Sequence, residues 1–128
     1  WIALAPDAAG VTTSADVPGI LQAREIAQMN LLADLVVLSA CETGQGKLTG
    51  DGVIGLSRSF LTAGAPSVIV SLWTVPDEAT ANLMIDFYEH LSTSPDKAQA
   101  LRQAMLNAIA AGQPPLDWAA FTLIGEAL

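Results

Sequence analysis

Two apolar runs organise the middle of the chain. Asp34-Leu-Val-Val-Leu-Ser-Ala40 and Ser67-Val-Ile-Val-Ser-Leu-Trp73 are continuous rather than alternating, and both are rich in β-branched residues. That is the pattern of a strand buried on both faces, the usual case in a parallel sheet under helices. Between them Val53, Leu56, Phe60 and Ala63 recur at spacings of 3, 4 and 3, a helical stripe. Gly64 stands where a C-terminal cap belongs, and Pro66 prevents continuation. Strand, helix and strand then make a right-handed crossover unit.

The flanks extend the pattern. Trp1–Ala5 reads as a strand, residues 6–19 as a surface loop, and Gln22–Met29 as a short helix. Met84, Phe87, Tyr88 and Leu91 mark the apolar face of a helix after the second run. Ser94 is the expected cap of the next helix, with Pro95 at its first position and Ala98, Leu101, Met105 and Ala108 as its stripe. Gly112 and the Pro114-Pro115 pair close it, and Trp118–Ile124 reads as a last strand. The fold class is α/β, with few strands for a closed architecture.

Composition narrows what such a chain does. Its 128 residues fit one ordinary domain. Hydrophobic residues are 52% and charged residues only 14%, against about 25% in an average soluble domain. Part of the surface is therefore expected to be covered by something else. No apolar run approaches the roughly 18 residues of a membrane span. Thirteen acids against five bases give a net charge of −8. Arg24, Lys47, Arg58, Lys97 and Arg102 are scattered singly, so neither nucleic acid nor an anionic membrane is an expected partner. One cysteine, Cys41, allows no intrachain disulfide and suits a reducing cytoplasm. No signal peptide is expected, and the missing initiator Met suggests a piece of a longer protein.

Chemistry concentrates in Leu38-Ser-Ala-Cys41-Glu-Thr-Gly44-Gln-Gly46-Lys-Leu-Thr-Gly50-Asp51-Gly52. Cys41 stands where a buried strand runs into a glycine-rich loop, and ligands of open α/β sheets bind beyond the carboxyl ends of strands. Glycines such as Gly44 let a substrate backbone approach closely. A buried thiol acting as a small hydrophobe is the competing reading, and position alone leaves both open. A phosphate-binding loop ending at Gly46-Lys47 fails at both ends: Cys41 replaces its first glycine and Leu48 its hydroxyl. Gly50-Asp-Gly52-Val-Ile-Gly55 matches a dinucleotide fingerprint in letters. It begins about ten residues beyond the strand, too far for the tight turn that binds pyrophosphate.

A cysteine nucleophile needs a base, usually His. The only one here, His90, is expected on the surface near a helix C-terminus, where it suits the helix dipole. One Cys and one His make no metal site, and no cofactor is expected. Asp51 and Asp77 would suit a basic substrate side chain, but helix N-capping is the favoured role of both.

Several ordered motifs together resemble one family. They are Leu38-Ser-Ala-Cys41-Glu-Thr-Gly44, Gly50-Asp-Gly-Val-Ile-Gly-Leu-Ser-Arg-Ser-Phe-Leu-Thr-Ala-Gly-Ala65, and Ser67–Trp73 followed by Val75, Asp77 and Thr80. Ala23-Arg-Glu-Ile26 and Trp118-Ala-Ala-Phe-Thr-Leu-Ile-Gly125 also fit. From about residue 20 onward the chain resembles the C-terminal part of a CHAT domain. The resemblance implies a caspase-like, mostly parallel sheet with helices on both faces, and a Cys/His dyad cysteine peptidase acting on polypeptides. Cys41 matches the nucleophile position. The family's His motif lies upstream of the first strand, so the upstream segment of the same domain is an expected partner. Tetratricopeptide repeats are another partner the family implies. The fragment alone is then expected to be inactive and to self-associate. A non-catalytic caspase-like signalling module is the alternative, and a dinucleotide-binding domain, visible by its cofactor absorbance, the third reading.

Overall fold

A computed structural model describes residues 2–3, 20–39 and 50–128 of the chain. Its elements run β1 (Ile2–Ala3), β2 (Ile20–Leu21), α1 (Ala23–Ile26), β3 (Val36–Leu38), α2 (Gly50–Thr62), β4 (Ser67–Ser71), α3 (Asp77–Thr93), α4 (Lys97–Ala110), α5 (Pro115–Trp118) and β5 (Phe121–Gly125). The expected loop over residues 6–19 lies outside the described residues.

The fold is built around β4, buried at all five positions. Successive side chains of a strand point to opposite faces, and β4 divides accordingly. Val68 and Val70 pack with Leu56 and Phe60 of α2 and Ile26 of α1. Ile69 packs with Leu83 and Phe87 of α3 and with Leu101 and Ala104 of α4. Helices thus cover both faces, which is why the strand reads as an unbroken apolar run. β3 follows the same rule: Val36 and Leu38 join the first core and Val37 the second.

The sheet order is β3-β4-β5. β3 runs parallel to β4, with Val36 opposite Val68 and Leu38 opposite Val70. β5 runs antiparallel to β4, with Ser67 opposite Gly125 and Ser71 opposite Phe121. The expectation of a mostly parallel sheet is therefore corrected for this three-stranded sheet, which has one parallel and one antiparallel pairing. A short chain turn explains this. α5 and two further residues bring the chain back at the carboxyl end of β4, where Leu72 N–H donates to Ala120 O at 2.9 Å, so β5 must run the other way. β1 pairs antiparallel with β2 outside this sheet, and β2 has no counterpart in the sequence reading.

Helix limits show where local chemistry overrode the pattern. α4 starts at Lys97, and its cap is Asp96, whose Oδ1 accepts from Gln99 N–H at 2.9 Å. The expected cap, Ser94, instead closes α3, its N–H donating to His90 O at 3.1 Å. A carboxylate caps and also meets the positive end of the helix dipole, so Asp96 wins over the hydroxyl two residues earlier. The buried line of α4 is Lys97, Ala100, Leu101, Ala104 and Ala108, while Ala98 is exposed. The buried line of α3 is Ala79, Leu83 and Phe87. Tyr88 is half-exposed, its ring edge-on to Phe87 at 5.1 Å. The helix expected over Gln22–Met29 shortens to the single turn of α1, where Gln22 N–H donates to Glu25 Oε2 at 2.7 Å. Trp118 belongs to α5, opened by Pro115, whose missing N–H costs nothing in a first turn.

Gly64 does close α2. Its φ of 111° is one that L side chains rarely adopt, and a Cβ there would stand 2.8 Å from Leu31 O. Leu31 N–H in turn donates to Ala63 O at 2.7 Å. The end of α2 is thereby stitched to the segment that leads into β3.

Candidate functional site

The parallel pair sets the site's position. β3 and β4 end side by side, so Ser39 and the segment Leu72–Pro76 leave the sheet at one edge. α2 begins after the β3 crossover and α3 directly after β4, so both helices start toward this edge. Crevices of this kind hold the ligands of open α/β sheets, because side chains on the outgoing loops face each other there.

Of the expected site residues, Cys41 and Gly44 lie outside the described residues. Asp51 is the second residue of α2 and Asp77 the first of α3. Neither is the N-cap expected of it. Pro76 caps α3 without a side-chain hydrogen bond, since its ring carries no acceptor. Asp77 sits in the first turn of α3, where a carboxylate is favoured by the dipole without capping. Asp77 is exposed at the carboxyl edge of the sheet, next to Glu78.

His90 is far from this edge. It lies thirteen residues beyond Asp77 on the same helix, which at 1.5 Å per residue is about 20 Å along the axis. It is also engaged. Asn107 of α4 brings its amide nitrogen within 3.3 Å of His90 Nε2 and donates to Asp86 Oδ2 at 3.4 Å. Gln103 Nε2 donates to Asn107 Oδ1 at 3.2 Å. Asp86 orients the amide, since its carboxylate only accepts. The nitrogen therefore faces His90 and the oxygen faces Gln103. The four side chains tie α3 to α4. His90 therefore serves the packing of α3 on α4.

A residue the sequence reading passed over is Trp73. It follows β4 at the carboxyl edge, and 39% of it is exposed. Its Nε1–H donates to Leu116 O of α5 at 2.9 Å, which fixes the indole across that turn of helix. The signal was present as an aromatic residue just past a buried strand, but the run had assigned it to the strand itself. Among the described residues no three His, Cys, Asp or Glu side chains gather as a metal would require. Among the described residues no helix is long and apolar enough to cross a membrane.

Comparison with known proteins agrees with the motifs. Tetratricopeptide repeat protein 28 of Mus musculus is 37% identical over 126 residues, covering 94% of this chain and 5% of that protein. Tetratricopeptide repeat protein 28 of Homo sapiens is 39% identical over 109 residues, covering 84% of this chain and 4% of its own length. The chain thus spans a small fraction of these relatives. The family model of the CHAT domain matches residues 2–126, nearly the whole chain. With an α/β sheet and a cysteine motif at the end of β3, the chain belongs to the CHAT domain family.

Proposed function

We propose that this chain is the nucleophile-bearing part of a caspase-like cysteine endopeptidase domain, with Cys41 as the nucleophile. The observation that carries the reading is the parallel register of β3 and β4. Cys41 follows Leu38, the last residue of β3, by three residues, so it is tethered within about 11 Å of the carboxyl end of β3. A thiolate at that edge meets a substrate in the crevice while the sheet holds its backbone.

In the proposed reaction the Cys41 thiol gives its proton to a His and Sγ attacks the scissile carbonyl carbon. The tetrahedral oxyanion is held by the Cys41 backbone N–H, and its collapse breaks the C–N bond. The His returns the proton to the leaving amine, and water hydrolyses the thioester. Since His90 is about 20 Å from this edge, the base comes from outside these 128 residues, in the upstream segment of the same domain. Gly44 would admit the substrate backbone, and Asp51 and Asp77 would favour basic residues near the scissile bond. Neither metal nor cofactor takes part. The names of the mouse and human relatives make tetratricopeptide repeats the proposed companion of the domain.

The test is hydrolysis of a fluorogenic peptide library by the full-length protein and its Cys41→Ala variant. Turnover by the first and none by the second supports the reading. Equal turnover removes it. A second reading is a non-catalytic caspase-like interaction module, in keeping with the repeats that the relatives' names specify. Peptide capture with no turnover would favour that module.

A further inference from the structure

The two long helices carry opposite charge. α3 holds Asp77, Glu78, Asp86 and Glu89 and no Lys or Arg, whereas α4 holds Lys97 and Arg102 and no Asp or Glu. Both helices also turn large apolar side chains outward. Ile85 is 56% exposed, Tyr88 51%, Leu106 38% and Ile109 48%. On α3, Ile85, Tyr88 and Glu89 are neighbours at spacings of three and four, apart from the buried line of Leu83 and Phe87. On α4, Arg102, Leu106 and Ile109 are neighbours in the same way, apart from the buried line of Ala104 and Ala108. Glu89 and Arg102 are both exposed. α1, α2 and β2 contribute to the core on the other face of the sheet. Among the described residues α3 and α4, with α5 at one end, are therefore the outer layer on their side. Contiguous apolar residues on such a layer, flanked by charge, mark an interaction surface.

The register of the two helices selects the partner. Asn107 reaches both Asp86 and His90, so α3 and α4 run antiparallel with residues 86–90 level with residue 107. Consider a second copy related by a two-fold axis that runs along the layer between the helices. α3 of one copy then lies on α4 of the other at the same level. Glu89 comes down beside Leu106 of the second copy, one helical turn from its Arg102, a gap that the two long side chains span. Ile85 comes down on Leu106 and Ile109 of the second copy. Each contact occurs twice by symmetry. Placing α3 on α3 would instead set acid against acid, and the net charge of −8 opposes approaches that leave Arg102 unpaired.

We infer that the outer layer of α3 and α4 is a self-association surface on which two copies of this chain pair, α3 of each lying on α4 of the other, with Glu89 facing Arg102 and Ile85 facing Leu106. The layer is about 20 Å on a side, from a helix of 14 residues and two helix diameters. That is small for a dimer interface, so association is expected at micromolar concentration. The pairing does not depend on whether Cys41 is a nucleophile.

The test follows association of the full-length protein by sedimentation velocity over a range of concentrations, with Glu89→Arg, Arg102→Glu and the two changes combined. Each single reversal turns both symmetry-related attractions into repulsions and should weaken the dimer about tenfold. The combined variant should regain the original association. So should an equimolar mixture of the two single variants, because one chain then offers only bases at these positions and the other only acids. Ile85→Ser should weaken association at unchanged Tm, since Ile85 is exposed in the single copy. Thermal melts of every variant check that the chain stays folded. Single copies at all concentrations overturn the inference, as does a dimer indifferent to both reversals. Association weakened by the reversals but restored neither in the mixture nor in the combined variant also overturns it, because something other than a second copy's α3–α4 layer would then occupy the surface.

Discussion

Two glycines that end helices offer a matched pair for substitution. Gly64 follows α2 with φ 111°, and Gly112 follows α4 with φ 75°. At Gly112 an added Cβ meets nothing within 4 Å. Gly112→Ala then costs only the left-handed conformation, about 1–2 kcal/mol, offset by roughly 0.4–1 kcal/mol from a less free unfolded chain. The net loss is about 1 kcal/mol. At Gly64 the φ lies further from any well open to alanine, and the new methyl would sit 2.8 Å from Leu31 O. That oxygen is backbone, tied by Leu31 N–H to Ala63 O, so it cannot swing aside as a side chain would. Steric strain raises the cost of Gly64→Ala to about 3 kcal/mol. With an unfolding entropy near 2.1 cal/mol/K per residue, a chain of 128 residues loses about 4 °C per kcal/mol. Calorimetry of the two variants should show Tm lowered by about 4 °C for Gly112→Ala and about 12 °C for Gly64→Ala. Because Leu31 leads into β3, Gly64→Ala should also lower peptide turnover at temperatures where the protein stays folded. Equal shifts for the two variants would refute the claim that the stitch from α2 to Leu31 sets the entry of β3.

Other outcomes follow from single contacts. His90→Ala should leave peptide turnover within about twofold while lowering stability by about 1 kcal/mol through the lost Asn107 contact; a loss of turnover at unchanged Tm would place the base on α3. Asp96→Ala should cost about 1 kcal/mol by removing the cap of α4, whereas Ser94→Ala, at the proposed but unoccupied cap, should cost less in the same melt.

The sequence revealed the parts of the fold whose cause is periodic. The unbroken run at Ser67–Ser71 betrayed a strand under helices on both faces, and the stripe Leu56, Phe60 and Ala63 betrayed α2. Features decided by a single side-chain contact were less legible. Ser94 and Asp96 are both acceptable caps in isolation, and only the carboxylate's bond to Gln99 N–H separates them. The antiparallel course of β5 depends on the turn of α5 at the carboxyl end of β4, which no spacing encodes. At the site, Cys41 lies outside the described residues, while the distance of His90 from the carboxyl edge was readable from helix length. Asp77 as a cap was misread by one residue, within which a cap becomes a first-turn residue. Trp73 escaped notice because an exposed aromatic and a buried one look alike within an apolar run.

Whether Cys41 is an activated nucleophile is tested most directly by mass spectrometry of the full-length protein after reaction with a peptidyl acyloxymethyl ketone carrying a lysine beside the ketone. A free thiol near its ordinary pKa is only a few per cent thiolate at neutral pH, whereas a base beside it raises that fraction. One adduct per chain, localised to Cys41 and absent in Cys41→Ala, is the expected result. A folded protein that takes up no label at Cys41, or that cleaves peptides with that cysteine replaced, would contradict it.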